Sequence, residues 1–273
     1  MREVVIWGAV QLSSQGDVTE NLDRAAALIA EAARRGASAV VLPENFAYMG
    51  DEEGKRGIAE ELGAEPAGPI GRRVAEAARA AGVSVIAGGF PERSSDAARP
   101  YNTCAVFGPD GRVVASYRKV HLFDVDLADG SQYRESASTS AGDAPVVVEV
   151  AGVQLGLSIC YDLRFPELYR ALSAAGAEAI VVPAAFTLLT GKDHWHVLLR
   201  ARAIEAQAYV IAAAQWGRHP RGRATYGKSC IIDPWGEVIA QASEGEGVVT
   251  AALDPAYLAR VRSNLPALTH RRL

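Results

Sequence analysis

Three tight turns between short apolar runs constrain the fold of this chain more than any other feature. The turns are Pro109-Asp110-Gly111, Ala151-Gly152 and Asp233-Pro234-Trp235-Gly236. Residues of this kind join neighbouring antiparallel strands, so the sheets that contain them cannot be wholly parallel. Elsewhere, apolar runs alternate with segments that have helical spacing. This mixture predicts an α/β fold in which two sheets pack face to face, with helices outside.

Apolar periodicity places the individual elements along the chain. The predicted strands cover residues 4–11, 39–42, 83–88, 102–107, 113–117, 146–150, 153–159, 179–182, 209–214, 229–232, 238–240 and 248–252. The predicted helices cover residues 21–35, 70–81, 166–175, 194–208 and 255–261. Residues 48–69 are expected to form a surface loop with one short helix, and residues 118–144 a long loop, which is typical of a functional segment. No repeat, low-complexity tract or linker interrupts the chain, so residues 1–273 are expected to form a single domain.

The composition argues against several classes of protein. A net charge of −4 does not suit a nucleic-acid binder, which needs a basic surface. No apolar run approaches the roughly 20 residues of a membrane helix, and the N-terminus runs into a strand without the apolar region of a secretory leader. Three widely spaced cysteines form no disulfide framework, and five scattered histidines without a C-x-x-C motif offer zinc no evident site. We therefore expect a cytoplasmic protein that binds neither nucleic acid nor membrane.

Cys160 is the strongest candidate for a catalytic nucleophile. It ends the apolar run of residues 153–159 and precedes a helix whose first turn carries Pro166 and Glu167. A thiol at such a strand-to-helix corner lies at the rim of a sheet, beside backbone N–H groups that can bind an anion. Cys104 and Cys230 lie within apolar strands and are expected to be inert core residues, which is the usual state of a free cysteine.

Three charged residues could activate this thiol or stabilise a transition state. Glu44 directly follows a buried strand, so it is the best candidate base, and burial is expected to raise its pKa. Lys119 follows a hairpin strand and could face the oxygen of a reacting carbonyl. Glu135 is an acid within the long loop. Each residue alone also has a structural explanation: Glu44 could be a salt-bridge partner or an acid at a helix start, and the other two could be solvent-exposed.

His121 supports a different interpretation of the same cysteine. It lies two residues from Lys119, so on an extended segment both side chains would face the same way. A Cys160–His121 pair would be typical of a cysteine peptidase or acyltransferase. Alternatively, His121 is a supporting hydrogen-bond donor. Arg202 and Glu205, three residues apart on a predicted helix, are expected to form a structural ion pair.

Taken together and in this order, these segments resemble the nitrilase, or carbon–nitrogen hydrolase, superfamily. Residues 42–44, 117–122 and 159–167 match its three signature segments around a glutamate, a lysine and a cysteine. The resemblance implies a four-layer αββα sandwich of two mixed sheets with outer helices, which forms a homodimer or a higher oligomer. It also implies a triad of Glu44, Lys119 and Cys160, with Glu135 as the second glutamate and without a metal or organic cofactor.

Within the superfamily the chain is most similar to the branch of deaminated-glutathione amidases and ω-amidases. The implied function is a cysteine-dependent amidase that hydrolyses the primary amide of a small carboxylic or α-keto acid to a carboxylate and ammonia. Deaminated glutathione is the first choice of substrate. The alternatives are an ω-amidase acting on 2-oxoglutaramate or 2-oxosuccinamate, and an N-carbamoyl-amino-acid amidohydrolase. An interaction scaffold without catalysis is the alternative from a different class.

The implied mechanism gives each candidate a role. Glu44 is the general base and acid, Cys160 the nucleophile, and Lys119 with the backbone N–H of Tyr161 the site for the oxyanion. Glu135 orients substrate and water. Five further residues are predicted to contact the substrate: Tyr48, Arg134, Arg164, Phe186 and Thr187. The two arginines among them are the candidates for binding a substrate carboxylate.

Overall fold

Short strands and helices alternate along the chain in the computed structural model, which describes residues 3–65, 68–127, 130 and 132–272. These residues form sixteen strands and seven α-helices. The strands are Val5–Gln11 (β1), Ala39–Leu42 (β2), Ser84–Glu92 (β3), Tyr101–Phe107 (β4), Val113–Arg118 (β5), Asp124–Asp126 (β6), Gln132–Arg134 (β7), Val147–Val150 (β8), Val153–Leu157 (β9), Ala179–Val181 (β10), Tyr209–Ala212 (β11), Trp216–Arg218 (β12), Ala224–Tyr226 (β13), Cys230–Ile232 (β14), Val238–Gln241 (β15) and Gly247–Leu253 (β16). The helices are Val18–Arg34 (α1), Glu52–Gly57 (α2), Pro69–Ala81 (α3), Pro166–Ala174 (α4), Leu188–Ala206 (α5), Pro255–Asn264 (α6) and Ala267–His270 (α7). Within the described residues, no helix combines the length and the apolar character needed to cross a membrane.

Most of the strands belong to two six-stranded mixed sheets. The first sheet has the order β16-β1-β2-β3-β4-β5, and the second has the order β15-β14-β11-β10-β9-β8. Each contains a parallel trio, β1-β2-β3 or β9-β10-β11, flanked on both sides by antiparallel strands. Read from β5 and from β15, the two sheets show the same series of antiparallel and parallel pairings. The predicted pair of mixed sheets is confirmed.

The packing of side chains gives the fold its four layers. Successive residues of a strand point to opposite faces of a sheet. Val41 and Ile86 therefore belong to the core shared with the second sheet, whereas their neighbours Val40 and Val85 pack in a separate core with α1 and α3. The second sheet is covered by α4 and α5, for example through Trp195 of α5. The order is helices, sheet, sheet, helices, as the αββα expectation requires.

Two local predictions about individual residues are also confirmed. Cys104 and Cys230 are fully buried, with 0% of each exposed. Arg202 Nη1 lies 2.9 Å from Glu205 Oε1 on α5. These residues thus belong to the framework of the fold.

Two helices begin earlier than predicted because polar residues cap them. The side chain of Asp17 accepts the backbone N–H of Glu20 at 2.9 Å, so α1 begins at Val18 and not at residue 21. The side chain of Thr187 caps α5 in the same way, so this helix begins at Leu188 and not at residue 194. Capping side chains satisfy N–H groups that a helix end leaves unpaired.

Two small antiparallel ribbons were not predicted. They pair β6 with β7 and β12 with β13. Each strand has only three residues and lacks the apolar run that identified the equally short β10 and β14. Both ribbons lie next to residues that line the candidate site described below.

Candidate active site

Glu44, Lys119 and Cys160 each follow a strand at the same edge of the sandwich. Glu44 comes after β2, Lys119 directly after β5, and Cys160 shortly after β9. Ligands of open α/β sheets bind outside the carboxyl ends of the strands. The structure therefore brings together three residues that are far apart in the sequence.

Lys119 lies between two carboxylates. Its Nζ is 2.9 Å from Glu44 Oε1 and 2.8 Å from Glu135 Oε2. Only 2% of the lysine side chain is exposed, so these carboxylates replace the water that a buried ammonium group has lost. Glu135 is held in place by the backbone N–H of Phe123, which donates to Oε2 at 2.7 Å.

Asn102 joins the same two carboxylates and was missed by the sequence analysis. Its Nδ2 donates to Glu44 Oε1 at 2.9 Å and to Glu135 Oε1 at 3.3 Å. The available signal was an amide near the start of an otherwise apolar strand, β4. That signal is weak, because polar residues are common at strand ends.

Cys160 is held in an unusual backbone conformation. Its φ of 47° lies in the left-handed region, which residues other than glycine adopt rarely and which is enriched at active sites. The backbone N–H of Cys160 donates to the carbonyl of Pro183 at 2.8 Å. The charge and hydrogen bonding of Glu44 act on the thiol and raise its pKa, and the backbone N–H of Ala185 donates to Glu44 Oε2 at 3.1 Å. The sulfur is therefore placed directly beside a carboxylate.

The charges around Glu44 oppose the effect of its burial. Burial raises the pKa of Glu44, but the charge and the hydrogen bond of Lys119 lower it, and the resulting pKa lies below the ordinary value. The prediction of a raised pKa is wrong, because it considered desolvation without a buried cation. Burial and the charge of Glu44 raise the pKa of the Cys160 thiol well above its ordinary value. The two directions favour a neutral thiol beside an ionised Glu44.

A bulge in β3 makes room for Glu44. The register between β3 and β4 shifts between Ala87 and Phe90, and Gly89 has a φ of +52°. A Cβ atom at Gly89 would lie 2.8 Å from Glu44 Cγ and 2.7 Å from Asn102 Oδ1. Glycine is required here both for the backbone conformation and for the space beside the carboxylate.

Asp162 connects the two chain segments that carry the lysine and the cysteine. Its Oδ1 accepts the backbone N–H of His121 at 3.1 Å and lies 2.7 Å from the ring Nδ1 of the same residue. Its Oδ2 accepts the Tyr117 hydroxyl and the Ile159 N–H, both at 2.8 Å. The carboxylate is fully buried. One side chain thus keeps both segments in a fixed relative position.

His121 is occupied by contacts away from the candidate nucleophile. Its ring stacks on Phe165 with the ring centroids 3.8 Å apart, and its Nδ1 faces Asp162. Among the described residues, those that line the cavity at Cys160 do not include His121. The acid–base group beside the sulfur is Glu44, which favours the interpretation of His121 as a supporting donor over a peptidase-like pair.

A cavity of about 230 Å³ gives access to Cys160. Its wall includes four of the five predicted substrate-contacting residues: Arg134, Arg164, Phe186 and Thr187. Tyr48 does not belong to the described part of the wall; its hydroxyl accepts the N–H of Asp51 at 3.2 Å, at the start of α2. Arg134 lies at the wall, but its Nη2 is 2.7 Å from Asp126 Oδ1.

Several other wall residues were not predicted. Helix α2 contributes Glu52 and Lys55, β7 contributes Tyr133, and the segment before β13 contributes Arg223. No sequence pattern marks these positions, since their proximity depends on how short polar segments fold over the sheet edge. Across residues 3–65, 68–127, 130 and 132–272, no group of three His, Cys, Asp or Glu side chains is arranged to hold a metal ion.

The sequence profile of a family described as Carbon-nitrogen hydrolase matches residues 8–263. The chain belongs to the carbon–nitrogen hydrolase family. It is 48% identical over 266 residues to the deaminated glutathione amidase of Synechocystis sp. (strain PCC 6803 / GT-S), with 96% of each protein covered. It is 41% identical over 254 residues to omega-amidase NIT2 of Xenopus tropicalis, covering 93% of this chain and 90% of the relative. The crystal structure of Saccharomyces cerevisiae Nit3, a member of branch 10 of the nitrilase superfamily, matches with a TM-score of 0.90 and 32% identity, covering 100% of this chain and 98% of that chain.

Family membership establishes the class of reaction. This carbon–nitrogen hydrolase is an enzyme that acts on carbon–nitrogen bonds other than peptide bonds, and the family supports amidase activity. The resemblance drawn from the three short segments is confirmed, and so is the nitrilase-type sandwich.

Proposed function

We propose that this carbon–nitrogen hydrolase uses Cys160 as its nucleophile to hydrolyse the amide of a small carboxylic or α-keto acid. One observation carries the proposal. Cys160 and Glu44 are buried in the wall of the same cavity, where the charge of Glu44 acts on the thiol and the Glu44 carboxylate contacts the Lys119 ammonium at 2.9 Å. A thiol with a raised pKa needs an adjacent base to become a nucleophile, and Glu44 can supply it.

Acylation begins with the substrate carbonyl beside the sulfur. Glu44 takes the thiol proton while sulfur bonds to the carbonyl carbon, and the carbonyl electron pair moves to oxygen. Lys119 and the Tyr161 N–H stabilise this oxyanion, since the Cys160 N–H is already engaged with Pro183. Loss of one such donor lowers the rate by about 10²–10³-fold in a protease example. Glu44 then gives its proton to the leaving nitrogen, the carbon–nitrogen bond breaks, and a thioester remains.

Deacylation uses the same carboxylate. Glu44 takes a proton from water while the water oxygen attacks the thioester, and it returns the proton to sulfur as the thiolate leaves. The lowered pKa of Glu44 supports this cycle, because the group is ionised at the start of both half-reactions. Glu135 and Asn102 hold Lys119 and Glu44 in position through their hydrogen bonds.

We propose deaminated glutathione as the substrate, supported by the activity named for the Synechocystis relative. This compound joins an α-keto acid through a secondary amide to cysteinylglycine, so the primary amide and the ammonia expected from the sequence apply to 2-oxoglutaramate and not to this substrate. Its hydrolysis yields 2-oxoglutarate and an amine, whereas 2-oxoglutaramate yields the same acid and ammonia. Both would place the same acyl group on Cys160. The ω-amidase alternative, supported by the Xenopus relative, therefore differs only in the leaving group.

Side-by-side kinetics with the two substrates test this proposal, with 2-oxoglutarate as the product measured for both. We expect the larger kcat/KM for deaminated glutathione, and no acid release by Cys160→Ala or Glu44→Gln. A preference for 2-oxoglutaramate above about tenfold, roughly 1.4 kcal/mol, would favour an ω-amidase. Carbon dioxide released together with ammonia from carbamoyl amino acids would indicate the third activity. Failure to cleave any small amide would favour a scaffold.

We propose that two copies of this enzyme associate through α5 and the β14–β15 hairpin. Four large apolar side chains are exposed there, with exposed fractions from 43% to 66%: Val197, Ile204, Trp235 and Ile239. The helix and the hairpin are joined by Arg200, whose Nε donates to Gly236 O at 2.7 Å. Apolar side chains exposed side by side are typical of an interaction surface.

The molar mass in solution tests this association. Val197→Glu should convert a dimer to a monomer in light-scattering measurements, because it places a charge in the apolar surface. Val114→Glu is the matched control, since Val114 is similarly exposed at 54% but lies on β5. A monomeric wild-type protein, or equal behaviour of the two variants, would contradict the proposed surface.

We further propose that residues 1–273 form one catalytic domain in the cytoplasm. The family match over residues 8–263 supports a single domain. The three free cysteines support a reducing compartment. Limited proteolysis of the purified chain tests the first point, and cell fractionation tests the second.

A further inference from the structure

Five cationic side chains line the candidate cavity, and they differ in how their charges are matched. Three have a carboxylate partner within 3.0 Å: Lys119, Lys55 and Arg134. The other two, Arg164 and Arg223, form no ion pair with any of the residues that the structure describes. The cavity therefore contains two guanidinium groups whose charges are available to a ligand.

Arg223 is the more unusual of the two. Its Nε is buried, and it has no hydrogen-bond partner among the described residues. Its charge acts on Glu44 and Glu52 without an ion pair to either. Buried polar atoms in native structures are normally hydrogen-bonded, so this donor is available to an acceptor from outside the chain.

An aromatic row separates the two guanidinium groups. Arg164 Cζ is 6.0 Å from the Tyr161 ring, whose centroid is 5.0 Å from that of Phe123. The Phe123 ring is in turn 5.0 Å from Tyr133, and Arg223 Cζ is 5.7 Å from the Tyr133 ring. All five side chains line the cavity. The wall is therefore aromatic in the middle, with a cation at each end.

We propose that Arg223 binds a carboxylate on the leaving group of the substrate, so that the cavity selects amides with an anionic group at each end. The inference rests on the function proposed above. Arg164 belongs to the short helical turn that begins at Cys160, and we assign to it the carboxylate of the acyl group that remains attached to sulfur. Arg223, at the other end of the aromatic row, then faces the half of the substrate that departs.

The chemistry of the two groups fits this assignment. A guanidinium binds a carboxylate with two parallel hydrogen bonds, which a lysine cannot do. Deaminated glutathione has one carboxylate on its α-keto acid half and another on the glycine of its leaving half. The primary amide 2-oxoglutaramate has only the first. Arg223 would therefore distinguish these two substrates, although both deliver the same acyl group.

The test compares Arg223→Gln with Arg221→Gln, which makes the same change two residues away. Arg221 has 73% of its side chain exposed and pairs with Asp51. Three substrates are needed: deaminated glutathione, its analogue with a C-terminal carboxamide, and 2-oxoglutaramate. Arg223→Gln should lower the ratio of kcat/KM between deaminated glutathione and 2-oxoglutaramate by about 30-fold, which corresponds to roughly 2 kcal/mol. Arg221→Gln should keep the wild-type ratio.

The carboxamide analogue supplies an independent readout. The wild-type enzyme should prefer the free acid over the carboxamide by a similar factor, and Arg223→Gln should have lost this preference. If Arg223→Gln does not fold, equal kcat/KM of the wild type for the acid and the carboxamide would still overturn the inference. An unchanged substrate ratio in a folded Arg223→Gln would overturn it as well. If the wild type turned over none of the three substrates, the proposed function would be refuted, and this inference with it.

Discussion

Substitution of Asp162 by asparagine is expected to damage both the fold and the candidate site. The side chain is fully buried and accepts hydrogen bonds from Tyr117, His121 and Ile159. These donors lie on the two segments that carry Lys119 and the nucleophile candidate. Asparagine has nearly the same shape, but it replaces one acceptor oxygen with an NH2 group. Donors would then face a donor in the interior.

The structure gives the size of the effect. Each carboxylate oxygen of Asp162 has two donor atoms at 2.7 to 3.1 Å. Whichever way the amide is oriented, one backbone N–H, that of His121 or of Ile159, loses its acceptor, and the remaining contacts lose the carboxylate charge. Hydrogen bonds to a charged group contribute about 1.5–3 kcal/mol each. The free energy of unfolding should therefore fall by about 3–6 kcal/mol, which is large for a single substitution.

Urea denaturation and amidase kinetics together provide the assay. Asp162→Asn should lower the urea midpoint strongly, and kcat should fall even at temperatures where the variant remains folded. Asp110→Asn is the control, because Asp110 makes its contact with the Arg112 N–H in an exposed turn. That variant should change stability by less than about 0.5 kcal/mol. A loss below about 1 kcal/mol in Asp162→Asn, with normal kcat, would refute the reasoning.

Three further predictions concern the pH dependence of Glu44, the space beside Gly89 and the role of His121. The pKa of Glu44 is lowered in the folded protein, so the ionised carboxylate stabilises the folded state at pH values above 4.5, the ordinary pKa of the group. This stabilisation is lost as the pH falls through the pKa that Glu44 has in the folded protein. The acid limb of kcat/KM should accordingly lie below pH 4.5; a midpoint near neutral pH would contradict this. Gly89→Ala should lose about 2–3 kcal/mol of stability and most activity. The control Gly82→Ala should keep its kcat, because Gly82 has a similar φ of +66° but no atom within 4 Å of the new Cβ. Equal kcat values of the two variants would argue against the steric explanation. His121→Asn should lower the free energy of unfolding by about 1 kcal/mol and kcat by less than tenfold. A fall in kcat as large as that of Cys160→Ala would instead support the Cys160–His121 pair of a cysteine peptidase.

The sequence alone determined the fold class and the family of this protein. The hairpin turns and the alternation of apolar side chains are local signals, and local signals predict strands, helices and antiparallel neighbours. Residues 42–44, 117–122 and 159–167 are also continuous segments, so the family could be identified without knowledge of their proximity. The same signals failed for the two ribbons beside the cavity, because their three-residue strands contain no apolar run.

Only the tertiary structure decided the surroundings of each candidate residue. The lowered pKa of Glu44 depends on Lys119, which is 75 positions away in the sequence, so burial alone predicted the wrong direction. Asn102 likewise belongs to the site because it donates a hydrogen bond to Glu44, in a distant segment. Arg223 stands out because its buried Nε has no hydrogen-bond partner among the described residues. Periodicity reports which face of a strand is buried, but not which charges lie across from it. Electrostatics at a buried site depends on distances between segments, and the folded chain sets those distances.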